Sequence, residues 1–250
     1  MADLVLTRAI EERTLNAWPA IETLIAGDWM LRFANGYSKR ANSASTLAPG
    51  AAMDDAAIDW LIARSDDWNV PPTVRLTPLC APGLDARLER RGFAAIEPTF
   101  GMIAPLDAGA PAADARVRFA PRAEADWMAA NAAAYGGVKA DAAKLAAILS
   151  RIRPKAAFAT LSDEGGPAAW GIAVAERGYV GLQDITVAPA RRGGGLGRAL
   201  VVSLMAWGRD AGAQRAYLHV AATNEPARAL YRSLGFVDVY RITHRALIRD

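Results

Sequence analysis

A cluster of glycines and arginines stands where a long apolar helix is expected to begin, in the stretch PARRGGGLGRAL. Gly193, Gly194 and Gly195 are followed by Gly197, although glycine loses more backbone freedom on folding than any other residue. A helix N-terminus leaves several backbone N–H groups without partners and carries a partial positive charge. Because glycines allow these amides to converge on one ligand, the stretch predicts a site for phosphate or pyrophosphate.

The spacing of these residues excludes the common nucleotide-binding loops. The P-loop requires a Gly-Lys pair, which does not occur in this sequence. The dinucleotide pattern G-x-G-x-x-G fails because its last position falls on Arg198 or on Leu200. What remains is R-x-x-G-x-G, formed by Arg192, Gly195 and Gly197.

Two ordered motifs resemble those of the GNAT superfamily of N-acetyltransferases. VAPARRGGGLGRAL, between a strand and a long helix, is similar to the family's acyl-coenzyme A binding motif, and LHVAATNEPARALYRSLGF is similar to its next motif. The resemblance covers about residues 115–250. It implies an α/β GNAT fold, with a mixed central sheet flanked by helices, and acetyl-coenzyme A as cosubstrate, with no metal.

The resemblance also implies a coenzyme site. Backbone groups at the end of the strand would pair with the pantetheine arm and could hold the thioester oxygen, the loop amides would bind the pyrophosphate, and the second motif would contact the pantetheine arm. The implied residues are Ile185, Thr186, Val187, Arg192, Gly193, Gly194, Gly195, Leu196, Gly197, Arg198, Asn224, Ala227 and Tyr231. An N-cap role before Pro226 explains Asn224 equally well, and Ile185 and Val187 also suit a core.

Two side chains are candidates for proton transfer. Tyr231 matches the family's Leu-Tyr position, and a phenol is protonated at neutral pH and can donate to a departing thiolate. The alternative is a packed aromatic whose hydroxyl is hydrogen-bonded. Asp184 is the candidate base, although a carboxylate on the surface or near a turn is the simpler explanation, and many GNAT enzymes deprotonate the amine through water.

Composition limits the class of protein. The chain has 250 residues, a formal net charge of +3 and a single cysteine, Cys80, which fits a reducing cytoplasm. The basic residues are scattered and no apolar run is long enough for a membrane span, so neither nucleic acid nor membrane is expected as a partner. The expected acceptor is a small-molecule or peptide amine, and the sequence indicates neither its identity nor the oligomeric state.

The chain is expected to have two parts. LDAGAPAADA predicts a linker over 107–115, between an N-terminal domain at 1–106 and a C-terminal domain at 116–250. ARLERRGF in the first part and ALYRSLGF in the second suggest a shared order of elements. The first part lacks R-x-x-G-x-G and has Leu88 where the second has Tyr231, so we expect a smaller, degenerate GNAT-like α/β domain that has lost coenzyme binding.

Two other functions fit the sequence. One is a binding or regulatory module that holds acyl-coenzyme A without turnover, which would agree with the weakly defined base. The other is a structural protein whose glycine loop binds nothing. The sequence favours the acetyltransferase because both motifs are present in order.

Overall fold

A computed structural model describes residues 2–107, 111–137 and 141–248, without the Glu97 side chain. The helices are α1 (Leu4–Ala17), α2 (Asp55–Asp67), α3 (Leu84–Arg90), α4 (Ala125–Tyr135), α5 (Ala142–Leu149), α6 (Leu196–Asp210) and α7 (Glu225–Ser233). The strands are β1 (Glu22–Ala26), β2 (Trp29–Phe33), β3 (Ala44–Thr46), β4 (Thr73–Leu76), β5 (Ala94–Pro105), β6 (Val117–Ala120), β7 (Lys155–Asp163), β8 (Gly166–Glu176), β9 (Tyr179–Val187), β10 (Arg215–Ala221) and β11 (Val237–Ala246).

The chain forms two compact units. Unit 1 comprises Met1–Gly101, Val220–Asn224 and Asp238–Asp250, and unit 2 comprises Met102–His219 and Glu225–Val237. Residues 108–110 of the predicted linker lie outside the described residues. The boundary at 107–115 stays a prediction.

Unit 1 contains a mixed sheet in the order β1-β2-β3-β4-β11, in which β3 and β4 are parallel and the other neighbouring pairs are antiparallel. One face of this sheet is apolar. Leu31, Ala44 and Val74 on the strands join Ile58 and Leu61 of α2 in a buried cluster. The cluster also contains Trp29, Phe33, Ala51, Met53, Val70, Leu76, Leu84, Leu88 and Phe93. The helices α2 and α3 therefore cover this face.

The opposite face of the unit 1 sheet is polar and yet buried. Side chains alternate between the two faces of a strand, so the neighbours of the apolar residues point away from the cluster. These neighbours are Arg32, Ser43, Ser45 and Arg75, all buried, and His244 is the register partner of Arg75. Buried polar groups normally require hydrogen-bond partners, which makes this face costly to enclose.

A helix supplies the main partner for this polar face. Glu11 of α1 accepts hydrogen bonds from Arg75 Nε and Nη2, both at 2.8 Å, and from the Tyr240 hydroxyl at 2.5 Å. The ion pair is almost fully buried on both sides. Removing one member of such a pair would leave an uncompensated buried charge, so the pair fixes α1 on the sheet.

His244 lies beside this ion pair as a neutral side chain. Its Nε2 is 3.5 Å from Arg75 Nη1, and Nδ1 has no hydrogen-bond partner among the described residues. Burial, followed by the positive charges of Arg75, Lys39 and Arg40, lowers the pKa of His244 well below its usual range, against the opposing effect of Glu11. Protonating this imidazole in the folded protein is therefore unfavourable.

Unit 2 contains a mixed sheet in the order β10-β9-β8-β7-β6, with β10 parallel to β9 and the other pairs antiparallel. Helix α6 approaches β9 closely at Gly208, where an added Cβ would lie 2.4 Å from Val180. The α/β class, with mixed sheets flanked by helices, is as predicted, and α6 begins at Leu196 as expected.

Within the described ranges, no helix combines the length and apolar character needed to cross a bilayer.

The buried imidazole predicts an acid-sensitive unit 1. The pKa of His244 is lower in the folded state than in the unfolded state, so the unfolded chain binds more protons in the pH window below about 6.5. The contribution of His244 to the free energy of unfolding should be fully present above this window. It should decrease as the pH drops through the window, by at most about 1.4 kcal/mol per pH unit. We expect His244→Asn to flatten the dependence of the urea unfolding free energy on pH between 7 and 5.

The pH range from 7.5 to 8.5 provides the control for this experiment, because an imidazole with the ordinary pKa of about 6.5 is neutral there in the unfolded chain as well. Wild type and His244→Asn should show the same slope in this range. Equal slopes between pH 7 and 5 in wild type and His244→Asn would contradict the assignment.

Candidate functional site

The candidate site begins where two parallel strands stop pairing. The register of β9 with β10 runs only from Tyr179↔Arg215 to Gly181↔Tyr217. At this last pair the Tyr217 ring lies across the glycine, since an added Cβ at Gly181 would lie 2.5 Å from the Tyr217 hydroxyl. Residues 182–187 of β9 continue beyond this register. These residues therefore have no register partner on β10.

A β-bulge interrupts the other side of β9. Trp170 pairs with Thr186 and Ile172 pairs with Gln183, so two residues of β9, Asp184 and Ile185, lie opposite the single residue Gly171. Asp184 adopts a left-handed conformation with φ of +51°. Such a bulge bends its strand and redirects the local peptide groups.

Helix α4 contacts the carbonyl groups of both bulge residues. Asn131 Nδ2 donates to the Asp184 carbonyl and the Tyr135 hydroxyl donates to the Ile185 carbonyl, both at 3.4 Å. In a trans peptide the C=O and N–H groups point in opposite directions. The amides of Ile185 and Thr186 therefore both point away from α4. Because the Ala188 amide donates to the Ala168 carbonyl and hydrogen-bonded pairs alternate along an antiparallel ladder, the Thr186 amide donates to the Trp170 carbonyl of β8, which leaves the Ile185 amide as the donor at the bulge.

The loop between β9 and α6 presents a second set of amides. Gly193 has φ of +84° and Gly195, the N-cap residue of α6, has φ of +78°. Within the described part of the chain, no hydrogen bond has an amide of residues 193–198 as its donor. These left-handed glycines and free donors at a helix N-terminus form a concave anion-binding arrangement.

Two glycines of this loop are not required by the fold itself. Every other glycine that the structure describes has either a positive φ or a neighbouring atom closer than 3.6 Å to the position of an added Cβ. Gly194 and Gly197 have neither. At Gly194 the nearest such atom is a backbone oxygen at 3.9 Å. Side chains could therefore be accommodated at both positions, and the missing side chains point to a requirement from outside the chain.

The three arginines of the loop have different roles. Arg191 forms an ion pair with Asp163 at 3.1 Å. Arg192 Nε donates to the Val187 carbonyl at 3.2 Å, and Arg198 donates to Ser233 at 2.7 Å. Arg192 and Arg198 are exposed beside the free amides.

A cavity of about 680 Å³ adjoins this loop. It is lined by Gly195, Arg198 and Val202 of the α6 region and by Ser233 and Gly235 at the end of α7. A ligand held by the loop amides could extend into this space.

Tyr231 lies in the interior of unit 2, on the helix that packs beside α6. Its neighbour Leu230 is 3.7 Å from the position of an added Cβ at Gly197, and its own ring centroid is 5.8 Å from that of Phe236. Burial raises the pKa of Tyr231 to about 12. The side chain therefore packs as an aromatic inside unit 2.

The remaining predicted residues occupy different positions. Asp184 is buried, so a surface carboxylate is the wrong description for it. Asn224 is exposed and belongs to unit 1, while Ala227 is half-buried in α7 of unit 2. Leu196 is buried at the start of α6. The roles of all these residues in binding stay predictions.

Sequence reasoning missed Asn131 and Tyr135. Both lie in the alanine-rich stretch ANAAAYGG, which resembles an ordinary helix. The available signal was the spacing of Asn131 and Tyr135, because residues four apart lie on the same face of a helix. An asparagine is unusual on a buried helix face. The described residues contain no group of three or more potential metal ligands.

Comparison with known proteins gives a consistent picture. A family described as "Probable histone acetyltransferase Rv0428c C-terminal" matches residues 6–245. The chain is 28% identical over 243 residues to "Uncharacterized N-acetyltransferase YobR" of Bacillus subtilis, covering 94% of this chain and 98% of that protein. It is 33% identical over 140 residues to a mycothiol acetyltransferase of Nocardiopsis dassonvillei, covering 48% of this chain and 42% of the relative.

A solved structure has a similar fold. The GCN5-related N-acetyltransferase from Kribbella flavida matches with a TM-score of 0.66 and 19% identity, over 98% of this chain and 96% of that one.

Proposed function

Since this chain belongs to the family described as the C-terminal part of the probable histone acetyltransferase Rv0428c, and is a GNAT-type N-acetyltransferase, we propose that it transfers an acetyl group from acetyl-coenzyme A directly to a primary amine in a ternary complex. The observation that carries the proposal is the pair of glycines, Gly194 and Gly197, that the fold does not require. Both lie beside amides without acceptors at the N-terminus of α6. A pyrophosphate that approaches the backbone closely explains both features.

The pantetheine arm would lie along residues 182–187 of β9, beyond the register with β10. Peptide-like ligands commonly add to an exposed strand in this way. The amide of Ile185 would then donate to the thioester oxygen, and a fixed backbone donor of this kind stabilises developing negative charge. Bound acetyl-coenzyme A supplies the activated acyl group.

Two proton transfers complete the proposed reaction. The amine loses its proton to the Asp184 carboxylate or to a water molecule, and Tyr231 donates its phenolic proton to the leaving sulfur. Burial keeps Tyr231 protonated across the physiological pH range because its pKa is raised to about 12. No covalent enzyme intermediate is required, since both substrates are bound together.

The acceptor is proposed only as a primary amine. The matching family and the mycothiol acetyltransferase carry names that point to different acceptors, which supports acetyl transfer without selecting one substrate. We also propose that the N-terminal part is a degenerate GNAT-like domain that does not bind the coenzyme, because it lacks the R-x-x-G-x-G pattern.

Substitution of Gly194 or Gly197 by glutamate should separate binding from folding. Glutamate in the first turn of a helix interacts favourably with the helix dipole, so the unfolding midpoint should be unchanged or higher. A carboxylate beside a pyrophosphate should weaken acetyl-coenzyme A binding by about 10- to 100-fold, on the order of 1.4–2.8 kcal/mol. Calorimetric titration with acetyl-coenzyme A measures this change.

Glutamine at the same positions provides the matched control, because it adds similar bulk without the charge. We expect Gly194→Gln and Gly197→Gln to bind better than the glutamate variants, with a difference that shrinks as the salt concentration rises. Wild-type affinity in both glutamate variants would refute the loop as the pyrophosphate site.

Tyr231→Phe should reduce turnover without affecting coenzyme binding. Loss of a general acid typically costs about 100- to 10,000-fold in rate. The assay follows release of the coenzyme A thiol with a panel of primary amines, and Tyr179→Phe at the start of β9 is the control. With a pKa of about 12 for Tyr231, the wild-type rate should show no loss near pH 10 from deprotonation of this phenol.

Unchanged turnover in Tyr231→Phe would exclude the acid role and leave this tyrosine as a packing residue.

A further inference from the structure

Resting on the proposed acetyl transfer, we propose that Asn131 and Tyr135 are positioning residues that hold the β9 bulge in the conformation that aims the amide of Ile185 at the thioester oxygen. Neither side chain would touch the reacting atoms. Each would act through the carbonyl group it contacts.

The bulge needs such support because its backbone is strained. Asp184 is a non-glycine residue with φ of +51°, and a conformation of this kind costs on the order of 1–3 kcal/mol. It persists only where the surrounding structure determines it, and such strain is concentrated at functional sites. The question is therefore which contacts determine the conformation of residues 184 and 185.

Asn131 provides the first contact, from the interior of α4. It is completely buried, and its Nδ2 donates to the Asp184 carbonyl at 3.4 Å. A carbonyl can only accept, so the amide nitrogen must face the bulge. Its Oδ1 has no hydrogen-bond partner among the described residues. An asparagine here is costly to bury, and a leucine would avoid that cost, so packing alone does not explain the residue.

Tyr135 provides the second contact, one helical turn later on the same face of α4. Its hydroxyl donates to the Ile185 carbonyl at 3.4 Å. Successive carbonyls of a regular strand point to opposite sides, yet here one helix contacts two successive carbonyls. The two side chains together therefore define the rotation of both peptide groups of the bulge.

The other side of the bulge is fixed by packing. An added Cβ at Gly171 would lie 3.0 Å from Leu204 and 3.5 Å from Ile185. Ile185 therefore packs closely against the glycine, next to α6. With α4 holding the carbonyl groups and α6 supporting the side chain, the direction of the Ile185 amide is determined.

Both hydrogen bonds are long, so each contributes little to stability while it still sets a direction. This separates a positioning role from a structural one. Removing the donors should leave the unfolding free energy nearly unchanged, whereas a displacement of about 1 Å at reacting groups can cost about 100-fold in rate.

The test uses acetyl-coenzyme A with a ¹³C-labelled thioester carbonyl and requires no acceptor. Hydrogen bonds to the carbonyl oxygen lower its infrared stretching frequency, so the bound wild-type complex should show a shift relative to free acetyl-coenzyme A. We expect Asn131→Leu and Tyr135→Phe to reduce this shift, while calorimetry shows wild-type affinity for coenzyme A without the acetyl group. The unfolding midpoint should be equal or higher in Asn131→Leu.

Tyr179→Phe is the matched control, since it removes a hydroxyl from the opposite end of β9 and should retain the full shift. If Asn131→Leu does not fold, Tyr135→Phe decides the question alone, because its side chain is only half-buried. With an amine that supports turnover, both variants should lower kcat by about 10- to 100-fold with little change in KM for acetyl-coenzyme A.

The outcomes distinguish a failure of the positioning role from a failure of the proposed acetyl transfer. A wild-type shift that persists in both variants overturns the positioning role and leaves the proposed acetyl transfer intact. A bound wild type without any shift also overturns it, because no amides then reach the oxygen. Failure of the wild type to bind acetyl-coenzyme A refutes the proposed function itself.

Discussion

The arrangement of unit 2 depends on the point at which β9 and β10 cease to pair. Their common register ends at Gly181 and Tyr217, although β9 continues to Val187. A parallel pair that stayed in register would satisfy its own backbone and leave no strand edge inside the unit. The early end of pairing therefore creates a strand edge on β9. The bulge lies in this part of β9, and the loop and α6 follow it in the chain.

The two sets of backbone donors are built by opposite means. In the loop, glycine relieves the cost of left-handed backbone at Gly193 and Gly195, so that conformation needs little support. In the bulge, an aspartate adopts the same region without that relief, and α4 and α6 must provide support. An adjustable backbone suits a phosphate group, whose oxygens accept hydrogen bonds from many directions. A single carbonyl oxygen requires a backbone donor that is fixed in direction.

Local chemistry explains which features could be predicted from the sequence. The glycine loop and the start of α6 at Leu196 depend on adjacent residues, so a linear pattern was sufficient. The bulge depends on register against β8, which no short stretch encodes, and its support comes from Asn131, 53 residues away from Asp184. The buried polar face of unit 1 could not be predicted from the sequence either, since Arg75 lies 64 residues from Glu11 and 169 from His244 in the chain. The loop could be proposed as a site because its residues are contiguous, whereas Asn131 and Tyr135 lie far in sequence from the strand residues they contact.

The path of the chain through the two units has a consequence for how this protein can change. The backbone passes from one unit to the other four times, after residues 101, 219, 224 and 237. A single proteolytic cut within 102–219 would consequently release neither unit as a continuous fragment. Recombination with another gene at one breakpoint would likewise separate β11 from its partner β4. A change of sequence that preserves both units must therefore keep all four crossings in place.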